Sequence, residues 1–174
     1  MKEIIQKTGK FDKDFDGIKW VIDVRSTDVT RQNINGIKID GGLVIATDGH
    51  RLHTYMTERE LPDGTYTVVS ATGKVIVLES NDYQFPDYKR VFPSVTHAGI
   101  PDISTPADKS EKDNRVVNTI LKKSDMSFNI RYLSDACPCD EDLEFRQSDT
   151  ALVINNKERT KSAIVMALNY TYEK

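Results

Sequence analysis

Leu43-Val-Ile-Ala-Thr-Asp-Gly-His-Arg-Leu52 is the stretch whose reading decides the fold. Leu43 to Ala46 form an apolar run, Thr47-Asp48-Gly49 breaks it into a tight turn, and His50-Arg51-Leu52 leave the turn. Such a run, closed by Asp-Gly, predicts a strand buried on both faces. Just upstream, Asp40-Gly41-Gly42 is a strong hairpin signal. Three antiparallel strands are therefore expected over Ile34–Ile39, Leu43–Ala46 and Leu52–Met56. Ahead of them, Phe15, Ile18, Val21 and Ile22 recur at spacings of three and four. That periodicity predicts an amphipathic helix from Asp12 to about Arg25, with Asp12 and Asp14 at its positive end and Gly17 weakening it slightly. A short strand around Ile4-Ile5 opens the chain.

Beyond Met56 the punctuation continues. Pro62-Asp63-Gly64 is a turn, and Tyr66–Val69 and Lys74–Leu78 flank a second hairpin. Phe85-Pro-Asp-Tyr-Lys-Arg-Val-Phe-Pro93 has two prolines in nine residues, which excludes a central strand or helix and makes it a shaped connector. Ser94 to Asn114 reads as a polar link. A short helix is expected over Arg115–Lys123, a strand over Met126–Asn129 and a helix over Ile130–Ala136. Strands are expected over Leu143–Arg146, Ala151–Asn155 and Ser162–Asn169. Strand, helix and three strands thus occur at both ends of the chain, a repeat of architecture without a repeat of sequence. The expectation is one α+β domain over 1–174, with a first unit at 1–60, a hairpin, connector and link at 61–125, and a second unit at 126–174.

With 174 residues, 38% hydrophobic and 29% charged, the chain is long enough for a substantial core. No apolar run approaches the length of a membrane span, so a cytoplasmic protein with no membrane contact is expected. A formal charge of −3 argues against wholesale nucleic-acid binding, though not against a local basic face. Cys137 and Cys139, one residue apart, are too few for a zinc site and too close for an unstrained mutual disulfide; they read as reduced bystander thiols. No metal and no cofactor is expected.

The informative segments resemble one family, the bacterial sliding clamp (the beta subunit of DNA polymerase III). Ala46-Thr-Asp-Gly-His-Arg-Leu52 matches the signature of that clamp's middle domain, and Ser26-Thr-Asp-Val-Thr-Arg31 followed by Asn35-Gly36 resembles the stretch entering the same hairpin. Phe85 to Pro93 is similar to the connector between middle and last domains. Phe128-Asn-Ile-Arg-Tyr-Leu-Ser-Asp-Ala136 resembles a strand-helix entry in the last domain, and Ser162-Ala-Ile-Val-Met-Ala-Leu168 the C-terminal strand. The segments follow the family's order. Full clamps carry three domains per chain and close as dimers around DNA; no counterpart of the first domain is recognised here. The resemblance implies a DNA-clamp-like domain built of two strand-helix-three-strand units with antiparallel sheets.

It also implies a function: a processivity factor or accessory of DNA replication with a groove for short apolar peptides of polymerases and clamp loaders. Carried over residue by residue, the groove comprises Thr47, Gly49, His50, Arg51, Leu52, Pro86, Arg90, Val91, Ile164, Met166, Ala167 and Leu168. Leu52, Val91, Ile164, Met166 and Leu168 supply apolar walls, and Gly49 leaves room for a peptide backbone. Two departures touch this groove: Ala167 stands where the family usually has proline, and Asn169 where it usually has arginine. Duplex DNA is a second implied partner, reached through assembly into a homo-oligomer. The Asp12–Arg25 helix carries more acids (Asp12, Asp14, Asp16, Asp23) than bases (Lys13, Lys19, Arg25), so the DNA-facing candidates are Lys109, Lys112, Arg115, Lys122 and Lys123, diluted by Glu111 and Asp113. An alternative is a monomeric clamp mimic that captures clamp-binding peptides without encircling DNA. A remoter one is a metal-dependent hydrolase using Asp48 and His50 of Asp48-x-His50-x-x-His53, although positions 50 and 53 of a strand face opposite ways. No phosphate loop or nucleophile elbow accompanies them, and no enzyme is expected.

Overall fold

A computed structural model describes residues 1–93, 117–122, 124, 126–137 and 143–168. The chain divides into two compact units, Met1–Val91 and Phe92–Lys174.

The first unit runs β1 (Lys2–Gln6), α1 (Lys13–Ile22), β2 (Gly36–Asp40), β3 (Leu43–Thr47), β4 (Arg51–Met56), β5 (Gly64–Ala71) and β6 (Val75–Asn81), then a 3-10 turn at Tyr88–Val91. Its strands form one antiparallel sheet in the order β1-β6-β5-β2-β3-β4. The hairpin expected to belong to a linking stretch at 61–125 is therefore part of this unit, because β5 pairs with β2 and β6 with β1.

Asp12 starts α1 as its N-cap: its Oδ1 accepts the Phe15 N–H at 3.0 Å, and its Oδ2 accepts the Thr8 N–H and hydroxyl. The helix stops at Ile22, short of the expected Arg25, with Asp23 as C-cap. Phe15, Ile18, Val21 and Ile22 are buried with Ile37, Ile39, Val44, Ala46, Ile76 and Leu78 in one cluster. Each of these side chains larger than alanine contributes about 1.5–3 kcal/mol by leaving water. Gly17 is the point of closest approach. A Cβ there would lie 2.5–2.7 Å from the Tyr55 ring, so the residue that weakens the helix locally is the one that lets it lie down on β4.

The second unit contains α2, helical over 117–122, α3 (Ile130–Ala136), β7 (Leu143–Gln147), β8 (Ala151–Asn156) and β9 (Lys161–Met166). Its three strands are antiparallel in the order β9-β8-β7. Residues 126–129 form no strand. The Asn129 side chain caps α3 by accepting the Arg131 N–H, and Phe128 is buried beside this cap. The expected strand Ser162–Asn169 ends at Met166: the Ala167 N–H donates to Thr150 and the Leu168 N–H to Ser127. The expected link at 94–114, Cys139 and Asn169 lie outside the described residues; Cys137 is buried.

Candidate functional site

The turn after β3 is held by its own side chains. Asp48 Oδ1 accepts the N–H groups of His50 and Arg51 at 2.9 and 3.1 Å, and Oδ2 accepts the Arg51 Nε–H at 3.0 Å. The Thr47 hydroxyl donates to the Arg51 carbonyl at 2.6 Å and accepts the Gly49 N–H at 3.0 Å. Gly49 adopts φ +93°, which other residues resist. Arg31 lies over it. One guanidinium nitrogen donates to the Asp48 carbonyl at 3.0 Å, and a Cβ on Gly49 would come within 2.7 Å of another. The outcome is a sequestered Arg51, 9% exposed and paired with Asp48, next to an exposed His50.

The carried-over residues are distributed over both units. In the first, Thr47, Gly49, His50, Arg51 and Leu52 form the turn and the start of β4, and Pro86, Arg90 and Val91 belong to the connector. Leu52 is fully buried, on the sheet face opposite α1, so it presents no free surface of its own. Pro86 is exposed, and so is Arg90, whose guanidinium pairs with Asp87 at 3.1 Å; Val91 is 37% exposed. In the second unit Ile164 is fully buried, Met166 and Ala167 are half-buried, and Leu168 is exposed. Of the DNA-facing candidates, Lys122 is an exposed residue of α2; Lys109, Lys112, Arg115 and Lys123 lie outside the described residues.

The charges of α1 are largely matched among themselves and their neighbours. Lys7 pairs with Asp16, and Lys19 with Asp23 at 2.6 Å. Arg59 bridges Asp12 and Asp14, both at 2.8 Å, while the Thr57 hydroxyl donates to Asp14. The Thr8 amide hydrogen bond, with those of Phe15 and the Thr8 hydroxyl and the Arg59 charge, holds the Asp12 carboxyl well below the usual carboxylate range.

Asp48, His50 and His53 do not converge on a metal. Asp48 is engaged by three donors of its own turn, His50 faces outward, and His53 is buried on the α1 side of β4, stacked on Trp20 with ring centroids 4.1 Å apart. Among the described residues no three His, Cys, Asp or Glu side chains are grouped to hold an ion. Burial, aided by the charge of Arg51, pushes the His53 pKa down to about 3, so the ring is neutral at physiological pH.

Three features escaped sequence reasoning. Arg31 was assigned no role, although Asp28 orders its loop by accepting the Thr30 N–H and hydroxyl, an Asp-x-Thr pattern visible in the sequence. The Trp20–His53 stack joins residues 33 apart and has no sequence signal. The connector is anchored by Tyr88, whose hydroxyl donates to Asp40 Oδ2 at 2.9 Å; burial and this carboxylate push the phenol up to about 12.

No protein-family model matches the sequence, and neither does any curated protein. Solved structures do share the fold. The DNA polymerase III beta subunit of Borrelia burgdorferi superposes with TM-score 0.64 at 14% identity, over 97% of this chain and 64% of that one. The Bacillus subtilis sliding clamp gives TM-score 0.62 at 12% identity, over 98% and 64%. The C. crescentus beta sliding clamp gives 0.59 at 18% identity, over 97% and 65%. The chain thus has the sliding-clamp fold, an α+β architecture of antiparallel sheet and few helices, and spans just under two thirds of the length of these clamps. Among the described residues no helix is long and apolar enough to cross a membrane.

Proposed function

We propose that this protein is a binding module of DNA replication that presents a clamp-type surface to short apolar peptides of polymerases or clamp loaders. The observation that carries this reading is the likeness to sliding clamps along 97–98% of the chain, with the Thr47–Arg51 turn folded so that His50 is exposed at its apex. The contact residues would be Thr47, Gly49, His50, Arg51 and Leu52 of the turn, Pro86, Arg90 and Val91 of the connector, and Ile164, Met166, Ala167 and Leu168 of the C-terminal strand and its exit. Their roles would differ. His50, Arg90 and Leu168 offer exposed side chains, whereas Arg51 and Leu52 would act from beneath by holding the corner in shape.

Two modes of action follow from this surface, processivity on DNA and capture of peptides without DNA. The charges of α1 favour the second: its two bases, Lys13 and Lys19, stand among Asp12, Asp14, Asp16 and Asp23, with Lys19 already paired, and such a helix releases few counterions from a phosphate backbone. The cytoplasm is the expected compartment, and an assembled ring would require several copies.

Titration of the folded protein with a short clamp-binding peptide, followed by fluorescence anisotropy, tests the reading. Saturable binding is expected, weakened at least tenfold by Arg90→Ala and by Met166→Ser with Leu168→Ser, each variant checked for native circular dichroism. No binding by the wild-type protein would sink the proposal.

A further inference from the structure

The connector arches over the sheet face opposite α1 and leaves a cavity of about 450 Å³ beneath it, within the first unit. Lys38, Asp40 and Thr65 supply its sheet wall, and Tyr83 to Lys89 its outer wall. This size is that of a small-ligand site. Which polar groups in it are already satisfied decides what it could hold.

The acceptors are committed. Asp40 Oδ2 takes the Tyr88 hydroxyl, and Asp87 pairs with Arg90. Of the two lysines, Lys89 is ion-paired with Asp40 at 3.9 Å, whereas Lys38 has no carboxylate partner among the described residues. The Lys38 ammonium is half-buried with no carboxylate or other acceptor within reach among the described residues; its one interaction is with the Tyr88 ring, 5.7 Å from the centroid. Lys89 stands at the same distance from that ring, more exposed and shared with the Asp40 carboxylate that already accepts the Tyr88 hydroxyl. Tyr88 itself is buried and pinned, so both ammonium groups are arranged about a fixed aromatic plane. A partly buried ammonium without an anion is a costly arrangement that an anion would relieve. Phe85, Pro86 and Tyr83, the last 44% exposed, offer apolar surface beside it.

We propose that this cavity is a binding site for a carboxylate carried on a compact aromatic or aliphatic body. The carboxylate would be received by Lys38 and Lys89, with the apolar part against Phe85, Pro86 and Tyr83. The site shares Pro86 with the peptide surface proposed above but is otherwise built of different residues.

The test is a nuclear magnetic resonance titration of the whole chain with phenylacetate, and with phenylacetamide as its neutral counterpart. A blocked dipeptide of Phe and Asp forms a third arm that separates a side-chain carboxylate of a peptide from a free acid. Phenylacetate is expected to shift the amides of Lys38, Thr65 and Tyr88 saturably, with phenylacetamide at least tenfold weaker. Lys38→Met, which keeps the side chain's length and packing, should weaken phenylacetate binding at least tenfold, and the more exposed Lys89→Gln by less. Equal response to acid and amide, or no shift of these amides by any of the three probes, would overturn the proposal. Clamp-binding peptides shifting residues 47–52 and 164–168, while phenylacetate leaves Lys38, Thr65 and Tyr88 unmoved, would keep the earlier reading and refute this one.

Discussion

Histidine 53 shows how far residue identity departs from residue role. The sequence puts it in a metal-like spacing with Asp48 and His50, yet it lies fully buried against Trp20 with neither ring nitrogen hydrogen-bonded among the described residues. Alternation along β4 separates it from the turn, and that much was legible; the stack was not, because Trp20 belongs to another element. Its folded pKa of about 3 lies below the unfolded value near 6.5, which fixes the sign of its effect. Above pH 6.5 both states are neutral and the full stability is present. As pH falls below 6.5, the unfolded chain takes up a proton that the native ring refuses, and stability drops by about 1.4 kcal/mol per pH unit until the native ring titrates. His53→Phe keeps a stacking ring and removes the titration. Urea unfolding at pH 7 and pH 5 should show the wild type losing about 2 kcal/mol more than this variant. Equal losses would place His53 in a wetter environment than the one described.

At the same scale, the Asp48–Arg51 pair explains a corner that the residue pattern left unassigned. An exposed arginine would be a free contact group; this one is enclosed and hydrogen-bonded to the carboxylate three residues before it. Asp48→Ala would leave two backbone N–H groups and a guanidinium N–H without that acceptor, at a cost of about 1–3 kcal/mol. A fall in thermal unfolding midpoint, with clamp-peptide affinity lowered by Asp48→Ala more than by Thr30→Ala, would tie the corner's shape to binding.

At the level of elements, periodicity located α1 and most strands within a few residues because one face of each is apolar. It missed where tertiary partners set the ends. β9 ends at Met166 because Ala167 and Leu168 donate their N–H groups to Thr150 and Ser127 rather than to β8, and no local propensity encodes that. The pattern places Asn129 in a strand, but its side chain caps α3. Gly17 gives the sharpest test of element packing. On an isolated helix Gly→Ala gains about 1 kcal/mol. Here the added methyl would meet the Tyr55 ring at 2.5 Å, in a core where overpacking costs about 1–3 kcal/mol. Gly17→Ala is therefore expected to lower stability in chemical denaturation, and Tyr55→Leu in the same chain to make Gly17→Ala less harmful. A stabilised single variant would show that α1 rides higher on the sheet than described.

The whole chain raises the question of what a clamp fold does at just under two thirds of a clamp's length. Electrostatics separates the answers. The net charge of −3 and the two bases of α1, one of them paired, leave few cations to neutralise phosphates from that helix. With about one or two phosphate contacts, the logarithm of affinity for duplex DNA would fall with that of salt at a slope of about −1 to −2, leaving no measurable binding near physiological ionic strength. A protein that tracks DNA as an assembled ring should behave otherwise, holding closed circular DNA even where direct phosphate contacts are weak. Light scattering at high protein concentration, together with retention on circular against linear DNA, distinguishes the two. Peptide capture predicts a monomer that binds neither DNA form in 150 mM salt while its affinity for a clamp-binding peptide is little changed. A multimer retained on circles and lost from linear ends would overturn that mode of action and establish the encircling one.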